Sequence, residues 1–457
     1  RLRLDKKRFG GRMKNNQFIS FFEEYGSLIE ENSPALLNAS RKKAFQEFLR
    51  LGFSSSDADF YRFMDLPTLF ATDYGINVRG LVPTFNPYRN FHCDVPGITS
   101  LLYYVVNDTF VAALQSNLPD GVIVCGLKYA AVHYPELLRQ YYGTSVDVQY
   151  DGISALNMMF AQDGFFMYVP EGVALEKPIQ LVNILAANRP LLANSHNVII
   201  IGKGAKAKLV VCDHTMDKNV DVFANRITEV FVDDGAEYDH YKVESTTETT
   251  KNFCTLVVNQ KENSNVLTNV ISLHNGVSRN NIKVNLNGRG ANTTLCGMFI
   301  GGKNQHSDNA TSILHHVPAC NSRELFKYIL DENAKGNFLG RIQVAEGASK
   351  TEAFQINRNI CLTREERMYT KPQLEIYNDD VKCSHGATIG QLDDNAMFYM
   401  RQRGISEKEA RLLLMSAFAA DILDNIRITS LKDRIRMLID KRLRGNGSHC
   451  DGCVICK

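Results

Sequence analysis

The sequence predicts a mainly β protein whose centre is a β-solenoid, a stack of short coils, with helical segments on both sides. Apolar residues at three- and four-residue spacing, which indicate amphipathic helices, are confined to the two ends of the chain. From Phe165 to Leu374 this spacing gives way to short β-rich runs separated by turns. Several of these turns share one signature and recur about 30 residues apart, a spacing that is typical of stacked repeats.

Length and composition indicate a folded protein of more than one structural unit. The 457 residues exceed the size of one ordinary domain. A formal net charge of +2 argues against nucleic acid or an anionic membrane as the main partner. The longest apolar runs, such as 121–127, are far shorter than the roughly 20 residues that cross a bilayer. Of the eleven cysteines, eight lie singly from Cys93 to Cys383, which favours free thiols in a reducing cytoplasm.

The first part of the chain is predicted to be helical and then mixed. Residues 1–12 are basic and precede Met13, and we interpret them as a non-native or upstream extension because position 1 is not methionine. Residues 13–160 are predicted to form a helical and mixed α/β domain. In it, Leu101–Val106 predicts a strand and Tyr129–Tyr142 a helix. The first amphipathic helix is indicated by Phe18, Phe21, Phe22, Tyr25, Leu28 and Ile29.

Residues 161–390 are predicted to form the solenoid itself. Its turns carry a glycine followed by a small residue, at Gly172-Val173, Gly204-Ala205, Gly235-Ala236, Gly290-Ala291 and Gly347-Ala348. Glycine accepts the positive φ of a tight corner, and a small next residue lets the coils stack closely. The alternation of Ile282, Val284 and Leu286 supports a strand with one buried face. A β-sandwich is the alternative, but the repeated corner is better explained by stacking.

Helices are predicted again in residues 391–444. An aspartate can cap a helix that ends at Gly404, and Ser406 with Glu409 forms a capping box for the next helix. A third amphipathic run covers residues 431–443. This domain carries more apolar surface than its own core needs, which predicts a surface for docking a partner.

An extended stretch before and within these helices resembles a known family. The runs Asp379–Thr388, Gly390–Asp393 and Phe398–Ile405 are similar to the C-terminal signature of the SufB/SufD family of iron–sulfur cluster assembly proteins. Weaker matches cover Asp59–Leu66, Leu118–Val122, Val169–Val173 and Pro178–Ile179. In the first of them Tyr61 stands where a tryptophan is usual. The resemblance implies a right-handed parallel β-helix flanked by N-terminal and C-terminal α-helical domains.

The same resemblance favours the SufD branch of the family. In the SufB branch the corresponding histidine stands between two glutamates, whereas this chain reads Cys383-Ser384-His385-Gly386. The SufD branch implies a non-catalytic scaffold subunit of the cytoplasmic SUF assembly machine, which pairs with SufB and docks the ATPase SufC. The alternatives are the SufB role of a cluster-bearing scaffold and, more distantly, a carbohydrate-active enzyme on a β-helix.

The resemblance implies that His385 faces the SufB partner and helps to bind iron or a nascent cluster at the interface. A neutral imidazole is a good ligand for iron, and groups of the partner would complete the coordination. Cys383 lies two residues earlier, so on a strand it shares a face with His385. The structural alternatives are a histidine bonded within a turn and a buried free cysteine. No cofactor is expected to bind tightly to the isolated chain.

Two further motifs are interpreted as structural. Asp379 and Asp380 are neighbours, so on a strand they would point to opposite faces, and we interpret them as turn residues. The run Gly297–Asn304 nearly fits a phosphate-binding loop, but Asn304 replaces the Mg²⁺-binding Ser or Thr. The segment that follows, Thr311–Val317, predicts a strand where the motif needs a helix. We interpret the run as a solenoid corner, and ATP hydrolysis is therefore assigned to the SufC partner.

The resemblance places the docking of SufC on the C-terminal helices. The candidate docking residues are Phe398, Tyr399, Arg403, Gly404, Ile405, Leu413, Leu414 and Phe418. The structural alternative is a helical cap on the solenoid, and both can hold because a cap also has an outer face. A homodimer is expected to be possible in isolation, since exposed strands at the solenoid edge could pair with a second copy.

The last residues, 445–457, are predicted to form a flexible, Cys-rich tail. Its candidate metal ligands are His449, Cys450, Cys453 and Cys456. Their spacing resembles part of a cluster-ligating run, and they could hold zinc or a cluster. The alternative is an exposed, redox-sensitive tail without a metal.

Overall fold

The computed structural model describes residues 16–82, 84–91, 98–112 and 118–445. Within these ranges the protein is mainly β, with helices before and after the long series of strands, as the sequence predicts. The helices are α1 Gln17–Asn32, α2 Ala35–Asn38, α3 Arg41–Leu51, α4 Leu66–Leu69, α5 Pro87–Asn90, α6 Leu127–His133, α7 Pro135–Arg139, α8 Gly152–Phe160, α9 Asp394–Gln402, α10 Glu407–Asp424 and α11 Thr429–Leu443. The strands are β1 Gly75–Ile76, β2 Leu101–Val106, β3 Thr109–Val111, β4 Ile123–Gly126, β5 Phe165–Val169, β6 Ile179–Leu185, β7 Leu191–Ile201, β8 Lys206–Thr215, β9 Val222–Val232, β10 Glu237–Ser245, β11 Thr250–Gln260, β12 Asn265–His274, β13 Val277–Leu286, β14 Asn292–Gly301, β15 His306–His315, β16 Asn321–Leu330, β17 Lys335–Val344, β18 Thr351–Cys361, β19 Arg367–Ile376 and β20 Val381–Gly390.

Successive strands from β5 onward alternate between two sheets, each ten-stranded over the described residues. One sheet runs from β4 and β5 through the odd-numbered strands to β19, with β1 beside β7, and the other runs from β3 and β2 through the even-numbered strands to β20. From β5 onward each strand pairs in parallel with the strand two places away in sequence. This is the connectivity of a parallel β-helix, in which every coil adds one strand to each sheet. It excludes the β-sandwich, whose sheets are antiparallel.

The two ends of the solenoid differ. At the first end, short strands pair in antiparallel fashion, β3 with β2 and β4 with β5. At the other end, β19 pairs with β17 alone and β20 with β18 alone among the described strands. The last coil therefore presents two parallel edges with unpaired backbone groups, and we call this the open end.

Side chains are buried in three layers. Inward-facing residues such as Ile282 and Phe326 form the core between the two sheets. The N-terminal helices cover the outer face of the odd-numbered sheet, where Phe48 shares a buried cluster with Phe223. The C-terminal helices cover the outer face of the even-numbered sheet, where the helix residue Ile422 shares a cluster with buried apolar residues of the strands. Before the last strands β19 and β20, each sheet is thus covered on both faces, as parallel sheets usually are.

The five predicted glycine corners are all turns, and the positive φ expected of the glycine is confirmed at four of them. Gly172, Gly204, Gly235 and Gly290 have φ between 65° and 73°. At the fifth turn the expectation is wrong, because Gly347 stays outside the left-handed region and Lys350 takes a φ of 57° instead. The small residue after the glycine is the more constant feature, since a side chain there faces the core. The fully buried alanines at these corners are Ala205, Ala236, Ala291 and Ala348.

A buried ion pair within the odd-numbered sheet contacts the N-terminal layer through its arginine. Arg279 Nη1 donates to Asp308 Oδ1 at 2.5 Å, and both side chains are fully buried. The Arg279 guanidinium also lies 4.5 Å from the ring centroid of Phe60 and 4.8 Å from that of Tyr61. The Tyr61 hydroxyl in turn donates to Asp151 Oδ1 at 2.8 Å. The tyrosine at this position therefore supplies a hydroxyl group, which tryptophan lacks.

Local helix predictions are mostly confirmed. Asp393 caps α9 through the backbone N–H groups of Asn395 and Ala396, and the Ser406 side chain accepts from Glu409 N–H at the start of α10. The single helix predicted over 129–142 is wrong, because α6 and α7 are separated at Tyr134. Proline at position 135 lacks an N–H and disfavours helical backbone in the residue before it. None of the helices in the described ranges is long and apolar enough to cross a membrane.

Candidate functional site

The candidate site lies at the open end, where β20 carries both Cys383 and His385. In the parallel register, Cys383 is opposite Ala353 and His385 is opposite Gln355 of β18. Cys383 packs partly against the solenoid core, so the inward face of β20 is the one that also bears His385. His385 is exposed because β20 is the last strand of its sheet. The structure thus brings the two predicted residues together on one face.

The Cys383 thiol is half-buried. Burial raises its pKa, and the backbone of Ala353 opposes this rise through a hydrogen bond. Because the folded chain keeps this thiol protonated at neutral pH, a metal ion would have to displace the proton to bind it.

Asp379 and Asp380 lie in the bend before β20, as predicted. The Asp380 N–H donates to Asn378 Oδ1 at 3.0 Å, and its carbonyl accepts from Lys350 N–H at 2.6 Å. These contacts hold the bend against the preceding corner. The two aspartates are therefore turn residues and do not form a catalytic pair.

Beneath His385 the inward face continues with polar residues. Gln355 and Glu324 occupy the matching positions of β18 and β16, one and two coils below His385. Gln355 Nε2 donates to Glu324 Oε2 at 2.6 Å, and both side chains are almost fully buried. Burial raises the pKa of Glu324 to about 7. The side chains below His385 are therefore a buried hydrogen-bonded pair, of which Glu324 is titratable.

A second polar group lies deeper in the solenoid, and we call Asp213, Arg226, Lys242, Asn252 and Cys254 the interior cluster. Lys242 Nζ is 3.1 Å from Cys254 Sγ and 3.5 Å from Asp213 Oδ2. Arg226 Nη1 is 3.5 Å from Asp213 Oδ1 and donates to Asn252 Oδ1 at 2.9 Å. A small cavity of about 40 Å³ between the sheets is lined by four members of the cluster, Asp213, Arg226, Lys242 and Cys254. That volume is enough for one or a few water molecules.

The charges of the interior cluster stabilise one another. Burial raises the pKa of Asp213, but the cations of Arg226 and Lys242 outweigh burial and lower it to about 2. Burial lowers the pKa of Lys242, but Cys254 and Asp213 outweigh it, and the net shift is upward. Burial raises the pKa of the Cys254 thiol. At neutral pH the cluster therefore holds two cations, an aspartate and a neutral thiol.

Sequence reasoning missed this cluster, although a signal for it was present. The alternation through Ala207, Leu209 and Val211 continues to Asp213, and that through Ile282 and Val284 continues back to Asn280. Extending an apolar alternation into polar positions predicts polar groups on the buried face. Lys242 Nζ donates to Asn280 Oδ1 at 2.8 Å, which links the two runs in space.

The predicted docking residues fall on α9, on α10 and in the turn between them. Phe398, Tyr399 and Leu413 are exposed, and Arg403 Nη2 donates to the Tyr399 hydroxyl at 3.1 Å. Gly404 is exposed, whereas Ile405 and Leu414 are half-buried. Phe418 is half-buried as well and packs with the cluster that joins the helices to the sheet.

Phe418 is also tied to the sheet by a lysine. Lys327 Nζ lies 4.5 Å from the Phe418 ring centroid and donates to the Phe418 carbonyl at 2.7 Å. The same nitrogen donates to Asp421 Oδ2 at 2.6 Å. Phe418 therefore helps to hold α10 on the solenoid in addition to any role at its surface.

The run Gly297–Asn304 forms the end of β14 and a corner, followed by strand β15. Lys303 has a φ of 50° and its N–H donates to Glu332 Oε2 of the next coil. The interpretation as a solenoid corner is confirmed, because a phosphate-binding loop needs a helix at this point. The predicted metal ligands His449, Cys450, Cys453 and Cys456 lie outside the described residues.

Comparison with known families agrees with this architecture. Residues 183–418 match the family described as "SUF system FeS cluster assembly, SufBD core domain", and residues 12–181 match "SufBD protein N-terminal region". The chain belongs to the SufBD family. It is thus an iron–sulfur cluster assembly protein of the SUF system, as the resemblance at Asp379–Ile405 implied.

Relatives of this SufBD family protein include SufD proteins. An iron–sulfur cluster assembly SufBD family protein of Synechocystis sp. is 28% identical over 392 residues, covering 84% of this chain and 86% of the relative. Iron-sulfur cluster assembly protein SufD of Escherichia coli is 31% identical over 294 residues, covering 64% and 69% of the two chains. The SufD protein of Bacillus subtilis is 26% identical over 351 residues, covering 75% and 79%.

Proposed function

We propose that this SufBD family protein is a SufD-type scaffold subunit that pairs with a SufB-like partner at its open end. The observation that carries the proposal is the placement of His385 and Cys383 on the inward face of the last, unpaired coil. An unpaired parallel edge can accept a strand from another chain through backbone hydrogen bonds. A solenoid of the same kind could therefore continue this one across the interface.

Iron or a nascent cluster is the cargo at this interface in our proposal. His385 and Cys383 supply two donors, and no group of three or more His, Cys, Asp or Glu side chains suited to a metal occurs in the described ranges. Iron–sulfur clusters are commonly held by four protein ligands. A partner that contributes thiolate or carboxylate groups would complete the set, which supports a site shared between two chains.

The ATPase of the machine is a separate SufC-like subunit in this proposal, and this chain has a non-catalytic role in the cytoplasm. Its docking surface is the exposed side of α9 and α10, around Phe398, Tyr399 and Leu413. Exposed aromatic and aliphatic side chains in one region favour a protein partner. In the absence of SufB, the open end could pair with a second copy of the chain.

Co-expression with the SufB-like and SufC-like proteins of the same genome tests this proposal. We expect native mass measurement to find a complex that contains this chain, SufB and SufC. The variants His385→Ala and Cys383→Ala should assemble equally well but retain less iron and sulfide. His133→Ala, which removes an exposed histidine of the N-terminal region, is the matched control. A chain that remains alone or self-paired beside both partners would refute the proposal.

The C-terminal tail is a separate proposal, since His449, Cys450, Cys453 and Cys456 could hold zinc or a cluster. Removal of residues 446–457 should then lower the metal content of the purified chain. An unchanged metal content would leave the tail without a metal role.

A further inference from the structure

Three residues in neighbouring coils form a column that ends at His385. Glu324, Gln355 and His385 are register partners in β16, β18 and β20, and all lie on the inward face. Neighbouring strands are about 4.8 Å apart, so side chains at matching positions stack within reach of one another. Any atom of Gln355 that points toward the open end therefore faces His385.

Glu324, which lies one coil below Gln355, determines the orientation of the Gln355 amide. Its Nε2 donates to Glu324 Oε2 at 2.6 Å, and a carboxyl group has an accepting oxygen in either protonation state, so the amide nitrogen faces Glu324. Nε2 and Oε1 are bonded to the same carbon and point in different directions, so Oε1 points away from Glu324. Oε1 is buried and has no hydrogen-bond partner among the described residues. A buried carbonyl without a donor is costly, and such groups are rare in folded proteins.

Space for this amide is provided at the neighbouring position of the odd-numbered sheet. A Cβ atom at Gly340 would lie 2.4 Å from Gln355 Nε2 and 2.6 Å from the Phe338 ring. Gly340 has no positive φ that would require glycine, so close packing is the reason for it. Gly340 thus has no side chain at the position that the Gln355 amide occupies.

We propose that Gln355, oriented by Glu324, is a positioning residue for His385: when the exposed imidazole turns toward Gln355, the unpaired Oε1 accepts a hydrogen bond from one ring N–H. This bond selects one neutral tautomer and directs the lone pair of the other ring nitrogen out of the open end. Histidines that bind metals commonly donate their second N–H to a carbonyl or carboxylate in this manner. The ligand is a transition-metal cation such as Fe²⁺, and this part of the inference rests on the proposed function of His385.

The tautomer of His385 can be measured without any metal. The full-length chain is labelled with ¹⁵N-histidine, and the His385→Ala variant identifies the His385 resonances. We expect one neutral tautomer to dominate in the unsubstituted protein. Gln355→Met, which removes the acceptor at similar length, should give a mixture of both tautomers. Glu324→Met should have the same effect because the amide is no longer held, whereas Glu324→Gln should retain the single tautomer because its carbonyl still accepts from Gln355.

Metal binding gives the second measurement. In the complex with the SufB-like partner, Gln355→Met should weaken Fe²⁺ binding by about 10- to 100-fold, the usual effect of losing such a supporting hydrogen bond. An unchanged His385 tautomer in Gln355→Met would overturn the proposal. If the tautomer changes as expected but His385→Ala retains full Fe²⁺ affinity, the positioning role stands and the proposed role of His385 in metal binding fails. Circular dichroism of each variant ensures that a folded protein is compared.

Discussion

Lys242 Nζ lies 3.1 Å from Cys254 Sγ inside the solenoid, in a cluster whose charged side chains are all buried. The same ammonium is 3.5 Å from Asp213 Oδ2 and donates to Asn280 Oδ1 at 2.8 Å. One lysine on β10 therefore contacts β8, β11 and β13 and partly neutralises a buried carboxylate. Removing one member of such a group leaves an uncompensated charge behind.

We predict that Lys242→Met lowers the free energy of unfolding by about 3–5 kcal/mol, the range for breaking a buried ion pair. Unfolding in urea measures the effect. Lys206→Met is the control, because Lys206 forms an exposed pair with Glu237 at 2.8 Å and should contribute no more than about 1 kcal/mol. Equal effects of the two variants would contradict the prediction.

The pH dependence of stability should identify Glu324. Its pKa is raised from 4.5 to about 7 in the folded chain, so between these values the folded state binds more protons than the unfolded state. Stability contributed by this group is therefore lost as pH rises toward 7. Glu324→Gln does not titrate, and it should gain about 2–3 kcal/mol relative to the unsubstituted protein between pH 5 and pH 8. A difference that stays constant with pH would show that Glu324 is not protonated in the folded state.

Gly340→Ala should destabilise the chain by about 1–3 kcal/mol, the usual cost of overpacking a core, because the new Cβ meets Gln355 and Phe338. Gly347→Ala is a matched control, since a Cβ there has no atom within 4 Å and the backbone is outside the left-handed region. Thermal unfolding compares the two variants. The steric explanation is wrong if Gly347→Ala costs as much as Gly340→Ala.

The open end predicts a charge-sensitive interface. Ile376 and Ile389 are exposed apolar residues on the two edge strands. The double variant Ile376→Lys/Ile389→Lys should weaken pairing with a SufB-like subunit by about tenfold or more, because two ammonium groups would have to lose water on binding. Native mass measurement of a dilution series gives the affinity. Val132→Lys, at an exposed apolar site in the N-terminal region, should leave pairing intact, and a similar loss there would argue against the open end.

Docking of a SufC-like subunit should depend on Leu413 more cleanly than on Phe418. Leu413 is exposed on α10, whereas Phe418 is half-buried and held by Lys327. Leu413→Asp should therefore abolish co-purification of SufC with no change in the unfolding midpoint. Phe418→Asp should abolish it too, but with loss of stability because it loosens α10 from the sheet. Retention of SufC by folded Leu413→Asp would place the docking surface elsewhere.

Sequence patterns predicted much of the architecture because they report local geometry. The Gly-Ala corners at Gly204 and Gly235 mark turns that need a positive φ and a small inward residue, and Ser406 marks a helix start. These requirements involve only a few neighbouring residues, so they can be recognised in the sequence without knowledge of the fold. The expectation at Gly347 was wrong for the same local reason, since several residues of one corner can take the left-handed conformation.

The grouping of charged residues in the solenoid interior could be recognised only in three dimensions. Alternation indicates an inward position for Asp213, but Asp213, Arg226 and Lys242 are separate in sequence and no local pattern brings them together. Their meeting depends on which face of each strand is inward and on the register between coils, which local patterns do not determine.

By itself, the sequence determined the repeat, the corners, the helix caps and the spacing that places Cys383 and His385 on one face of a strand. Only the tertiary structure decided that this strand is the last of its sheet and that Gln355 and Glu324 lie beneath His385. The physical reason is the range of the interactions. Backbone preferences and alternation act between neighbours in the chain, whereas edge exposure and stacking between coils arise from residues about 30 positions apart.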